Sequence, residues 1–133
     1  DEITPLICKN TEKQTIKPER VNRIIISAMK QSLKAGLTGL NEPVKFDDFM
    51  KKDSRGIKII SHCSSQTGRN KFDTEYSKGK DVIILIGPEG DFTGIEIESA
   101  IRNGFCPVHL GNSRLRTETA GIAACYSIYF INQ

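Results

Sequence analysis

Apolar residues in this chain fall in short clusters separated by polar runs, and the spacing within each cluster separates strand from helix. Residues Ile3 to Cys8, ITPLIC, predict a first short strand. The polar stretch KNTEKQTIK follows as a loop. Pro18 then opens a helix, at the position where a missing amide donor does no harm. Val21, Ile24, Ile25, Ala28, Met29, Ser32 and Leu33 recur three and four apart, which predicts an apolar stripe packed on a sheet. That helix is expected to run to about Lys34, with Gly36 ending it. Between Gly39 and Lys52, Pro43, Val44 and Phe46 predict an extended passage. Asp47 or Asp48 is then placed to cap a single turn through Phe49 and Met50. Ile57 to Ser61 predicts another strand. His62 to Tyr76 is polar, a long loop with room for a short element.

The clearest strand is Val82 to Ile86, VIILI, bounded by Asp81 and Gly87. An unbroken apolar run of this length predicts a strand covered on both faces, as in a parallel sheet. Thr93 and Glu96 have the spacing of a capping box. Ile97, Ala100 and Ile101 supply the buried side of the helix that follows, and Gly104 its C′ position. Pro107 to Leu110 predicts a short strand. After the loop GNSRLR, Thr117 is placed to cap a last helix carrying Ala120, Ala123, Ala124, Tyr126, Ser127 and Phe130. Strands alternating with helices predict an α/β chain whose mainly parallel sheet is flanked by helices.

Composition narrows this little. The 133 residues suit one domain, and 38% hydrophobic content suits a folded core. A net charge of +3 permits a nucleic-acid partner without requiring one. Cys8, Cys63, Cys106 and Cys125 form no CxxC pair and no zinc spacing, so no metal is expected and the thiols read as a reduced interior set. No signal peptide is visible and no apolar run is long enough to cross a membrane, so a cytoplasmic location is expected. The chain begins with Asp1 inside a strand-like run and reads as part of a longer protein.

Two loops carry candidate chemistry. The first, IGPEGDFT from Ile86 to Thr93, leaves a buried strand and enters a capped helix, a common ligand position in open α/β sheets. Gly87 and Gly90 allow tight turns and close approach, and Glu89 is held at the turn. The loop has neither the dinucleotide GxGxxG nor the Gly-Lys of a P-loop, and in isolation it serves equally as a structural turn. The second, LGNSRLRTETA from Leu110 to Ala120, places Arg114 and Arg116 either side of Leu115. Its arginines suit phosphate, carboxylate or a base edge, or simply solvent. Two such loops at the ends of successive strands favour a shared pocket, but spacing does not name its ligand.

The pair of motifs resembles the RsmE family of ribosomal small subunit RNA methyltransferases, within the SPOUT superfamily. The family pattern IGPEGGF, with Ser or Thr next and Glu three residues later, is met from Ile86 to Glu96 except that Asp91 replaces a glycine. The pattern LGxRILRxETA is met at Gly111, Leu115, Arg116, Glu118, Thr119 and Ala120. Ser113 stands where arginine is usual and Arg114 where an aliphatic is usual. Ile3 to Leu6 is similar to the family's IxPL strand, so the likeness covers nearly the whole chain. It implies a C-terminal trefoil knot, a true rarity among folds, and S-adenosylmethionine as methyl donor to N3 of a uridine in 16S rRNA. The implied partner is an assembling or assembled small ribosomal subunit, and the implied assembly a homodimer. His62, Ile86, Gly87, Gly90, Leu110, Gly111, Leu115 and Arg116 would form the cofactor pocket. Arg116 and Glu89 would act in catalysis, and Arg114, Lys30, Lys34, Arg69 and Lys71 would meet RNA. It further implies that residues 1-133 are a SPOUT methyltransferase domain lacking its first strand and helix and the family's PUA-like RNA-binding domain, and so weak in RNA binding alone. The alternatives are a non-catalytic RNA- or nucleotide-binding module, or a SPOUT enzyme acting on another RNA site.

Overall fold

The computed structural model describes residues 1–65 and 68–133. The first apolar run forms not one strand but two, β1 (Glu2–Ile3) and β2 (Leu6–Ile7). Pro5 lies between them, and proline has no amide for a ladder. Helix α1 spans Pro18–Gln31 with Pro18 in its first turn. It stops before Gly36. Leu33 takes the left-handed conformation, φ 55°, and the Leu33 and Lys34 amides donate back to the Lys30 and Met29 carbonyls. That is a Schellman ending built on leucine instead of glycine. The predicted packing of α1 also needs correction, because none of its residues is fully buried. Val21, Ile25 and Met29 are half-buried, while Ile24 and Ala28, one step round the helix, face solvent.

Strands β3 (Gly39–Leu40) and β4 (Val44–Lys45) pair in parallel with β1 and β2 respectively. Helix α2 (Phe46–Met50) is the expected single turn, but its N-cap is Lys45, with Asp47 and Asp48 inside the first turn. Strand β5 is Ile57–Ser61. The polar run beyond it holds β6 (Asn70–Lys71) and α3 (Phe72–Glu75); its Gln66 and Thr67 lie outside the described residues. Strand β7 is Val82–Ile86 and helix α4 is Gly94–Arg102. The capping box is present in both directions, and Gly104 and Phe105 close a Schellman ending at the other end of α4. Ile97 and Ala100 are buried, whereas Ile101 is exposed. Strand β8 is Cys106–His109, one residue earlier than expected, and helix α5 is Thr117–Ile131.

The main sheet has the order β6-β8-β5-β7, and every pair is parallel. Alternation along β5 sends Ile60 to one face and Ile59 to the other, both fully buried. Ile60 joins Phe46, Met50, Leu85, Phe92, Ile97, Ala100 and Phe105. Ile59 joins Phe72, Tyr76, Val108 and Ala124. Ile83 and Leu85 of β7 belong to the first cluster and Val82, Ile84 and Ile86 to the second, so this strand is covered on both faces, as its unbroken run predicts. The cysteines are not an interior set: Cys8 is buried, Cys106 intermediate, and Cys63 and Cys125 exposed. No described helix is long and apolar enough to cross a membrane.

Candidate functional site

Ser61 ends β5 paired with Ile86 of β7 and with Val108 of β8. The three strands therefore release their following loops at one level of the sheet. These loops enclose a cleft of about 680 Å³, within the range of small-molecule sites.

The first loop contributes Ile86, Gly87, Pro88 and Glu89 to the cleft. Its turn is closed by the Asp91 amide donating to the Pro88 carbonyl at 2.8 Å, so the Glu89 carboxylate is not needed to hold it. Glu89 is exposed at the mouth. Gly90 faces away: a Cβ there would lie 2.9 Å from Cβ of Asn10, whose Nδ2 donates to the Gly90 and Asp91 carbonyls. Its glycine requirement comes from this buttress, and it does not line the cleft.

The second loop contributes Leu110, Gly111, Arg114, Leu115 and Arg116. Gly111 has φ 126°, a conformation that side chains disfavour. Leu115 is half-buried between exposed Arg114 and Arg116, as their alternation predicts. Arg114 Nη2 donates to the Glu89 carbonyl at 3.2 Å. Thr117 does not cap α5. Arg116 holds the N-cap position without a side-chain bond, and Thr117 Oγ1 donates to the Gly87 carbonyl at 2.9 Å. The hydroxyl expected to serve its own helix instead ties the two loops together.

The third wall follows β5. It consists of Ser61, His62, Cys63 and Arg69, with Arg69 Nη1 donating to the His62 carbonyl at 2.9 Å. His62 is 3% exposed, and neither ring nitrogen has a hydrogen-bond partner among the described residues. Burial pushes its pKa below the ordinary 6.5; the Asp91 carboxylate opposes this and the Arg69 guanidinium adds to it. The imidazole is neutral near pH 7, with one nitrogen to donate and one to accept.

Lys30, Lys34 and Lys71 are exposed and lie outside the cleft lining. Asp91 and Thr117 are among the lining residues to which the motifs assign no site role. Asp91 was visible as the break in the glycine pattern. Thr117 carries no such signal, because capping is the commoner use of a threonine at a helix start. Chemically the cleft combines apolar Ile86, Leu110 and Leu115 with three arginines, two carboxylates and a neutral imidazole. That suits a planar, polar ligand with separated charges. Among the described residues no group of His, Cys, Asp and Glu is arranged to hold a metal ion.

The model of an RNA methyltransferase domain matches residues 1–129, and the chain belongs to that family. It is 30% identical over 128 residues to the ribosomal RNA small subunit methyltransferase E of Mesomycoplasma hyopneumoniae, covering 92% of this chain and 55% of that protein. The crystal structure of a probable rRNA-methyltransferase from Porphyromonas gingivalis superposes with a TM-score of 0.88 at 43% identity, over 96% of this chain and 54% of that one. The ribosomal RNA small subunit methyltransferase E of Neisseria gonorrhoeae, solved bound to S-adenosyl methionine, has a TM-score of 0.81 at 26% identity, over 98% and 54% respectively. The chain spans about half the length of these relatives. The RsmE likeness carried by the two loop motifs thus extends along most of the sequence.

Proposed function

We propose that this chain is the catalytic domain of an S-adenosylmethionine-dependent methyltransferase acting on N3 of a uridine in 16S rRNA. The observation that carries the reading is the convergence of both motif loops and the His62 wall on one cleft. The cofactor fits the residues present. Ile86, Leu110 and Leu115 offer apolar walls for an adenine, and the loop backbones offer its hydrogen bonds. The His62 nitrogens, without a hydrogen-bond partner among the described residues, supply a buried polar group that a ligand would satisfy. When bound, S-adenosylmethionine supplies an electrophilic methyl group on a sulfonium, which requires no metal.

The chain's own residues then have to align the base and remove its proton, since a neutral imide nitrogen is a poor nucleophile. Arg116 stays protonated and cannot act as base. It lines the cleft with no side-chain hydrogen bond among the described residues, placed to stabilise negative charge developing on a uracil oxygen or to hold a phosphate. Glu89, exposed at the mouth, is the candidate to orient the base or accept its proton. Arg114 and Arg69 combine loop bracing with positive charge toward RNA, and Lys30, Lys34 and Lys71 extend that charge over the surface.

The knot is part of the same proposal: the segment after Leu110 threads a chain loop. The Thr117–Gly87 bond, which holds the start of α5 against the first loop, supports it. Strand β7 has one partner among the described residues, β5, and its other edge is where a further strand of a complete SPOUT sheet fits. Helix α5 exposes Ile122, Tyr126, Tyr129 and Phe130, which supports a homodimer through this helix. The proposed setting is the cytoplasm, on assembling or assembled small subunits.

Arg116→Ala tests the mechanism. Single-turnover methylation of deficient small subunits should fall by about a hundredfold or more, while calorimetric S-adenosylmethionine affinity changes much less. An unchanged rate rejects the role. Absence of cofactor affinity in the folded full-length protein would favour a non-catalytic binding module.

A further inference from the structure

Among the described residues, Asp91 is one of two non-glycine residues with positive φ, at 64°. A left-handed backbone is unfavourable for a residue with a Cβ, and the side chain found there makes two bonds. Its Oδ1 accepts the Phe92 amide at 2.8 Å, and its Oδ2 accepts the Cys63 amide at 2.8 Å. Phe92 is buried in the core beneath the first loop, whereas Cys63 belongs to the wall after β5. One carboxylate therefore joins a core-anchored loop to the wall that carries His62. Its Oδ1 would lie 3.1 Å from a Cβ built on Gly87, so the group packs over the floor of the first loop. Asp91 itself lines the cleft.

We propose that Asp91 is a positioning residue, which staples the His62–Cys63 wall to the Gly87 loop and so presets the width of the cleft for a nucleoside ligand. This rests on the cofactor reading given above. Arg69 also braces the wall after β5, but that bond returns to the same wall. Without the staple, more of the ordering would fall to the ligand and weaken its binding.

The test uses the full-length protein with S-adenosylmethionine as calorimetric probe. Asp91→Asn keeps size and one acceptor oxygen but turns an NH2 toward one of the two amides. Asp91→Gly relieves the left-handed strain and removes both bonds. Affinity should fall roughly tenfold in the Asn variant and further in the Gly variant, as expected for loss of charge-assisted hydrogen bonds. The melting temperature of the Gly variant should fall less than the loss of two charge-assisted bonds alone would give, because relief of strain offsets part of it. Two further readouts separate a staple from general softening. The Cys63 amide should lose hydrogen-exchange protection in the Gly variant, which removes both acceptors. The His62 titration should move further down once the Asp91 charge is gone, with Arg69 the remaining charged neighbour. Unchanged affinity in both variants overturns the proposal, as does an unchanged Cys63 exchange rate in the Gly variant. If the wild-type protein has no affinity for S-adenosylmethionine, the cofactor reading falls instead, and Cys63 exchange still decides whether the staple exists.

Discussion

Glu96 is 8% exposed, and both of its carboxylate oxygens are committed. Oε2 accepts the Thr93 amide at 2.8 Å, completing the capping box of α4; Oε1 accepts the Lys9 amide at 2.8 Å, from the turn after β2. Glu96→Gln keeps the shape, but an amide has one acceptor oxygen, so its NH2 must face one of two backbone donors. A hydrogen bond to a charged group contributes about 1.5–3 kcal/mol, and an orphaned donor costs a similar amount. Water reaches exposed Lys9, so the lower part of that range applies and about 2 kcal/mol should be lost. Glu96→Ala removes both bonds and should cost about 3 kcal/mol. Urea unfolding followed by circular dichroism would read these as lower midpoints at unchanged m. Thr93 Oγ1 accepts the Glu96 amide at 3.2 Å, so Thr93→Ala should couple to Glu96→Gln by roughly 0.5–1 kcal/mol in a double-mutant cycle. The effect should also reach the cleft, because Lys9 precedes Asn10, the buttress of Gly90 and Asp91. A Gln variant within about 0.5 kcal/mol of wild type, the scale of ordinary surface substitutions, would refute this reasoning.

His62 should make stability depend on pH. Its folded pKa lies below 6.5, so the unfolded chain binds the proton more readily; the stabilisation is complete above 6.5 and is lost as pH falls from there toward the lowered folded value. Wild-type urea midpoints should therefore drop below pH 6.5 more steeply than those of His62→Gln, and parallel curves would reject the effect. The thiols should differ sharply in reactivity. Burial first, then the Glu96 charge, push Cys8 up to about 12 against the opposing Thr11 bond, while Cys63 and Cys125 are exposed. Iodoacetamide at pH 8 should modify Cys63 and Cys125 in the folded protein and Cys8 only on unfolding; equal rates would contradict the burial of Cys8. On α5, Tyr126 is 64% and Phe130 68% exposed, and their rings stack at 6.4 Å. Tyr126→Glu with Phe130→Glu should halve the mass seen by light scattering, and a monomeric wild type would remove the dimer.

What could be read from the sequence was what depends on neighbours along the chain. The Thr93–Glu96 box, the Gly104 ending and the VIILI strand all emerge as expected, because each is fixed by residues a few positions apart. Features decided by distant partners did not. The stripe of α1 has helical spacing, but periodicity cannot say whether anything covers it, and Ile24 is exposed. The short elements Asn70–Lys71 and Phe72–Glu75 hide in a polar run, since one anchor, buried Phe72, is enough to dock them. In the cleft, the two motif loops supply much of the lining, and the wall after β5 supplies Ser61, His62, Cys63 and Arg69. The uses of Gly90, Thr117 and Asp91 depend on Asn10, Gly87 and Cys63, which lie 80, 30 and 28 positions away.

The common level at which Ser61, Ile86 and Val108 meet has a consequence for how such a protein changes over time. Each loop begins where a ladder ends, so a substitution in one loop leaves the hydrogen bonding of the sheet untouched. Selection can then act on the residues that meet a ligand almost independently of those that keep the chain folded. The unusual Asp91, Ser113 and Arg114 all fall on the loop side of that line. The sheet side holds Ile59, Ile60 and Val108, where an altered side chain would disturb the packed core.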